Sequence, residues 1–191
     1  YNFCISYKDY ETYKRDGANV DKLLVCPNGA QHRDYHFTEK PLKPSWTLYL
    51  GRIEPRKRQY LYQDIYGVEF VGKYTDTTSF DRNRDCYLGQ WEHEYKLQHV
   101  TDYGNMMLLS DGENGTPLVI KEALVAGLGV VVSKYAAHDL DTSLPFVTVI
   151  PDDKWEDIEY VQEKLIENRK ISVTMRKEIR QYGVDNFSWQ K

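Results

Sequence analysis

Between residues 47 and 150 the chain alternates short, continuously apolar runs with longer stretches patterned for helix. The runs are TLYLG at 47–51, VEFVG at 68–72, CYLG at 86–89, MMLLS at 106–110, VVVS at 130–133 and FVTVI at 146–150. They are apolar on successive rather than alternate positions, which suits strands buried on both faces. RKRQYLYQDIY at 56–66 and EHEYKLQHVTDY at 92–103 lie between them and predict helices. Strand and helix in alternation imply right-handed crossovers and an open parallel sheet with helices on both faces, an α/β Rossmann-like class. Two helices close the chain: 153–170 sets Trp155, Ile158, Val161 and Leu165 on one stripe, and 171–183 follows with a weaker pattern.

The first forty residues behave differently. NFCIS at 2–6, a polar helix over 7–17 and KLLVCPNGAQ at 22–31 precede TEKPLKPS at 38–45, a polar stretch with two prolines that reads as a linker. A boundary is therefore expected near residue 40, with 41–191 forming the main domain.

Composition narrows the function classes. A length of 191 residues suits one domain, or one domain and a piece of another; an apolar content of 41% with 28% charged residues is that of a globular protein without a membrane span. A formal net charge of −4 argues against a general nucleic-acid binder, so any anion site is local. Cys4, Cys26 and Cys86 have no metal spacing and read as reduced thiols, which suggests a cytoplasmic location. The five histidines show no zinc pattern, and neither Ser110 nor Ser133 sits in a nucleophile elbow, so neither a metal nor a resident cofactor is expected.

Two stretches carry candidate chemistry. In DGENGTPLVIKEALVAGLGVVVS, residues 111–133, Thr116 is a plausible N-cap and Pro117 a first helical residue, so a helix starts behind a glycine-rich loop. Free amides of its first turn, with Gly115 allowing close approach, form a ready phosphate site. Glu122 interrupts an otherwise apolar helix, and a carboxylate there needs donors: either sugar or ribose hydroxyls, or a structural cation. In LYLGRIEPRKR, residues 48–58, a strand ends at Gly51, where ligands of open α/β sheets bind. Arg52 offers a fork for phosphate oxygens and Lys57 a point charge, against the alternative of a solvated basic turn, which is the expectation for Arg56 and Arg58. The acidic triplet DLD at 139–141 reads as a solvated loop.

Taken in order and spacing, YLGRIEPRKR, EFVGKY, the run from Tyr87 to Ser133 and the closing NFSW resemble the carboxyl-terminal, donor-binding half of a family 4 type glycosyltransferase of GT-B architecture. KLLVCPNGAQ resembles the end of that family's amino-terminal domain, so residues 1–40 would be its remnant and linker, and the chain a piece of a longer protein. The resemblance implies a retaining, metal-independent hexosyl transfer from a nucleotide-diphosphate sugar to a glycan or lipid-linked acceptor held by the missing domain, peripheral to a membrane, with the fragment inactive by itself. It implies Arg52 and Lys57 on the diphosphate as the catalytic cations, Glu122 on the ribose, and Gly51 with the amides near Thr116, Pro117 and Leu118 at the phosphates. It places Tyr87 and Trp91 near the base. The family has an earlier glutamate at the sugar ring; counting back from Glu122 reaches Asn114, with Glu113 one place earlier. Gly129, Ala136 and Ala137 also depart from the family pattern, the alanines narrowing the sugar pocket. Two alternatives stand beside this reading: a nucleotide-sugar binding module that has lost catalysis, and another GT-B enzyme such as a sugar-nucleotide epimerase.

Overall fold

A computed structural model describes residues 1–76, 79–113 and 115–189. The runs of continuous apolar residues become strands β3 (Lys43–Leu50), β4 (Val68–Val71), β5 (Tyr103–Leu108), β6 (Gly129–Ser133) and β7 (Val147–Ile150), following two short strands, β1 (Asn2–Cys4) and β2 (Leu23–Val25), near the start of the chain. β3 to β7 form one parallel sheet in the order β4-β3-β5-β6-β7, while β1 and β2 pair in parallel as a separate sheet. β5 lies at the centre of the large sheet and is buried throughout, as a parallel strand covered on both faces must be.

The helices are α1 (Tyr7–Arg15), α2 (His93–His99), α3 (Leu118–Val125), α4 (Ile158–Thr174) and α5 (Arg176–Phe187). α4 lies along β3, β5, β6 and β7; α3 packs on β5 and β6 and against α5. The fit of α3 to α5 depends on Gly183, where a Cβ would stand 2.5–2.7 Å from backbone atoms of Leu124 and Val125.

The predicted stripe packs on the core through Val161 and Leu165, and beyond it the layer between α4 and the sheet turns polar. Thr47 donates to Asn105 at 2.6 Å, Asn105 donates to Asn168 at 2.9 Å, and the Asn168 amide also donates to the carbonyls of Val130 and Phe146. The Ser172 hydroxyl bonds the Gly104 carbonyl at 2.5 Å and accepts from the Gly129 amide at 2.7 Å. Arg176, 2% exposed, donates to three carbonyls, those of Thr38, Tyr103 and Thr101. Every polar atom named here has a partner, which is the condition for burying it without a large desolvation loss.

Three expected elements differ. Residues 56–66 form no α-helix but two 3-10 turns, Pro55–Lys57 and Gln59–Tyr62, broken by Arg58 at φ 56°. CYLG at 86–89 runs beside β4 without becoming a strand, held by a bridge from Tyr87 to Phe70. Helix α3 begins one residue later than expected: Pro117 is its cap residue, and its carbonyl accepts from the amides of Ile120 and Lys121.

Candidate functional site

The carboxyl ends of β3, β4 and β5 carry the basic turn and the glycine-rich loop that the sequence singles out. Gly51 (φ 156°) and Gly72 (φ 152°) end β3 and β4 so close together that a Cβ on Gly72 would lie 1.9 Å from the Gly51 carbonyl oxygen. The buried Tyr49 hydroxyl donates to the Lys57 carbonyl and accepts from the Leu109 amide, which clamps the basic turn to the end of β5. Two bonds to backbone carbonyls reinforce it, since the Gln59 side-chain amide donates to the Arg52 carbonyl and the Asp111 backbone amide to the Arg56 carbonyl.

A cavity of about 300 Å³ opens at the start of α3, lined by Arg56, Glu113, Gly115, Thr116, Pro117, Leu118 and Lys121, with Ile5 and Asn28 closing it from the amino-terminal segment. The amides of Leu118 and Val119 precede the first intrahelical bond of α3 and face outward from its start, as first-turn amides do. α1 is tied to the rim: Lys8 Nζ donates to the Glu113 carbonyl at 3.1 Å.

The cations sort differently from expectation. Arg56, expected in solvent, is the arginine on the cavity wall; it donates to the Asp111 carbonyl at 2.7 Å and pairs with Glu113 at 2.9 Å and Glu54 at 3.1 Å. Burial works against its charge, but Glu113 and Glu54 outweigh burial and raise its pKa. Arg58, also expected in solvent, stacks 3.9 Å from the Trp155 ring centroid and pairs loosely with Asp111. Arg52 points outward, its side chain 64% exposed, with only a 4.0 Å approach to Glu54, and it does not line the cavity. The backbone is extended at Ile53, which bridges Tyr74, and at Glu54, and turns only from Pro55, so a straight helical projection from Arg52 to Lys57 is not realised.

Lys57 sits behind Arg56, folded against Gly51. Burial lowers its pKa, and the nearby Glu113 and Glu54 recover only part of that loss. Among the described residues, no hydrogen bond or ion pair of 4.0 Å or less holds its ammonium. A desolvated cation left in this condition favours an anion brought from outside.

Glu122 does not face the cavity. Its Oε1 accepts from Lys96 at 2.8 Å, with both side chains less than one-fifth exposed, and its Oε2 is buried beside Tyr35. Burial first, and the Glu122 charge second, keep the Tyr35 hydroxyl protonated. The cause is helical phase. On a short α3 the position after Lys121 turns toward α2, and the structural cation, one of the two partners the sequence left open, is the one found. Glu122, expected on the ribose from the resemblance, is paired with Lys96 and does not line the α3 cavity.

The remaining expected positions divide. Glu113, Gly115, Thr116, Pro117 and Leu118 come together at the cavity; Asn114 lies outside the described residues. Thr116 does not cap α3; its hydroxyl accepts from the Asp139 amide at 3.0 Å, and the Asp139 carboxylate accepts from the Thr116 amide at 3.1 Å. Asp139, expected in a solvated loop, therefore latches that loop to the site. Tyr87 stays at the carboxyl edge, its hydroxyl donating to the Gly72 carbonyl. Trp91 does not: it lines a cavity of about 500 Å³ with Lys43 and Tyr103, the first residues of β3 and β5, at the opposite edge of the sheet. Ala136 and Ala137 are buried in the core and absent from the α3 cavity, so their methyls do not narrow it. Lys121 and Asn28 escaped the sequence reading, although Lys121 is the other polar residue of the same apolar helix.

No family model and no curated protein matches the sequence. Solved structures do match its fold. HepE from Anabaena, in complex with UDP-glucose, superposes with a TM-score of 0.71 at 14% identity over 97% of this chain and 59% of its own. Sucrose-phosphate synthase from Thermosynechococcus elongatus gives 0.70 at 18% identity over 98% of this chain and 54% of its own. The fold matches one Rossmann-like half of the GT-B glycosyltransferase structures. The lipopolysaccharide outer core galactosyltransferase WaaB, in its apo form, matches the whole chain at a TM-score of 0.68, 17% identity and 58% of its own length. The chain thus spans a little over half the length of the GT-B structures it resembles. Within that fold the α3 cavity occupies the carboxyl edge of the sheet, where the topology of an open α/β sheet places a ligand.

Proposed function

We propose that this chain is the donor-binding half of a glycosyltransferase, and that the cavity at the start of α3 holds the diphosphate of a nucleotide-sugar. The observation that carries this reading is the pair of cations on one turn: Arg56 on the cavity wall and Lys57 beside it, half-buried and, among the described residues, with no carboxylate within ion-pair distance. Leu118, whose amide precedes the first intrahelical bond of α3, lines the same space, and a helix start together with a guanidinium is a strong receptor for phosphate oxygens. HepE, which shares the fold, is solved with UDP and with UDP-glucose.

In the transfer step the bond between the anomeric carbon and the diphosphate oxygen breaks, and its electron pair stays on the phosphate. Fixed positive charge beside that oxygen stabilises the transition state more than the ground state. Arg56 and Lys57 supply it here. Arg52 is an outer cation on the same turn, exposed and loosely held. The acceptor, a glycan or lipid-linked sugar, approaches from the part of the protein beyond this chain, and the family resemblance implies retention at the anomeric centre and no metal requirement.

Titration of the chain with UDP-, GDP- and ADP-sugars tests the reading. Binding to one of them, weakened about tenfold or more by Arg56→Ala and less than about threefold by Arg52→Ala, is the expected result. Absence of binding to every nucleotide-sugar would overturn it. A second reading, a binding module without catalysis, is favoured by Glu113 and Asp139 already engaging the groups at the cavity. Binding without turnover once the rest of the protein is supplied would select it.

A further inference from the structure

Lys121 is 2% exposed, yet its side chain lines the α3 cavity. Its ammonium donates to the Asn28 carbonyl at 2.9 Å and stands 3.8 Å from Asp139 Oδ2, over the face of Phe187. A buried ammonium this close to an anion cavity has one charged neighbour, and that neighbour also takes the Thr116 amide. Asp139 thus occupies two donors, one ammonium and one amide, that border the space assigned above to a diphosphate. Burial lowers the Lys121 pKa and Asp139 works against the fall, so losing the carboxylate without a replacement anion would leave the lysine exposed to that penalty.

The loop has room to give way. Asp139 lines a second cavity, of about 760 Å³, that Lys121 and Asn28 share with the first, and its carboxylate is 27% exposed. A carboxylate turned into that space keeps its solvation while vacating both donors. Glu113 stands in the same relation to Arg56, but it is held from two sides, by the guanidinium and, through its carbonyl, by Lys8.

We propose that Lys121 is a third phosphate-binding cation of this site and that Asp139 is an internal placeholder for the phosphate, displaced into the neighbouring cavity when a nucleoside diphosphate binds. The inference rests on the donor reading and adds to it a residue and a competition. The incoming phosphate exchanges one anion for another on Lys121 and the Thr116 amide, so the wild-type affinity is set below what the bare cations would give.

The experiment is calorimetric titration of the 191-residue chain with UDP, ADP, GDP and inorganic pyrophosphate, using uridine as a probe without phosphate. Asp139→Asn keeps the side-chain shape and removes the competing charge; Lys121→Met keeps the buried length and removes the ammonium. Expected results are about tenfold tighter diphosphate binding by Asp139→Asn, about tenfold weaker binding by Lys121→Met, and uridine binding unaltered in both. Should Lys121→Met fail to fold, Asp139→Asn decides alone. Diphosphate binding by the wild type that is unchanged or weakened in Asp139→Asn overturns the placeholder and leaves the donor reading standing. No diphosphate binding by either protein overturns both.

Discussion

Lys96→Met tests whether Glu122 is a structural charge or a ligand-gripping one. The pair is 2.8 Å long, and its side chains are 19% and 15% exposed. At an effective dielectric near 20 the gross attraction at that distance is about 6 kcal/mol, most of it offset by the desolvation of both groups. Removing one partner of a fully buried pair costs about 3–5 kcal/mol, and the residual exposure here argues for about 3 kcal/mol. In a domain of this size each kcal/mol moves the melting temperature by about 2–4 °C, so Lys96→Met should lower it by roughly 6–12 °C. The double variant Lys96→Met/Glu122→Leu replaces the pair with apolar volume and should return to within about 1 kcal/mol of wild type, because no buried charge is left without a partner. Urea and thermal unfolding of the wild type, both single variants and the double variant complete the cycle. A Lys96→Met loss below about 1 kcal/mol, the range of exposed ion pairs, would refute the argument and return Glu122 to the candidates for ribose binding.

Two further variants probe the scaffold and the basic turn. Gly183→Ala gains intrinsic helix stability but drives a methyl into the α3 backbone at 2.5–2.7 Å; a net loss of about 2–3 kcal/mol in urea unfolding is expected, and an unchanged midpoint would show that α5 can shift away from α3. Lys57→Met should raise the melting temperature at neutral pH while weakening nucleoside diphosphate binding about tenfold. Folding lowers the Lys57 pKa, so the folded chain binds that proton less tightly than the unfolded one. Wild-type stability therefore rises with pH through the window between the lowered and the ordinary lysine value, and the advantage of Lys57→Met should shrink there. A melting temperature that falls in Lys57→Met at neutral pH would contradict the desolvation argument.

The strands are legible because a parallel strand buried on both faces favours consecutive apolar residues, and Met106–Leu108 of β5 and Val130–Val132 of β6 state this in their sequences. The polar layer under α4 is not, because Asn105 and Asn168 are buried on account of each other, a pairing across the fold that no local period records. At the site, local chemistry singled out the turn and the loop that meet at the α3 cavity, but not the individual side chains that line it. Choosing Arg56 over Arg52 depends on the extended backbone at Ile53 and Glu54 that separates them and on Glu113 reaching back from a distant loop. Helical spacing marked Glu122 as anomalous, yet the partner that explains it lies on α2. Asp139 illustrates the same limit, since its value comes from the Thr116 amide, twenty-three positions away along the chain.

The most direct test of the account is a map of amide chemical shifts as UDP is added to the chain. Perturbations concentrated on Gly115, Thr116, Leu118 and Val119, together with the turn from Arg56 to Arg58, are the predicted result. Perturbations confined to the opposite edge of the sheet, around Trp91 and Tyr95, would contradict the central claim.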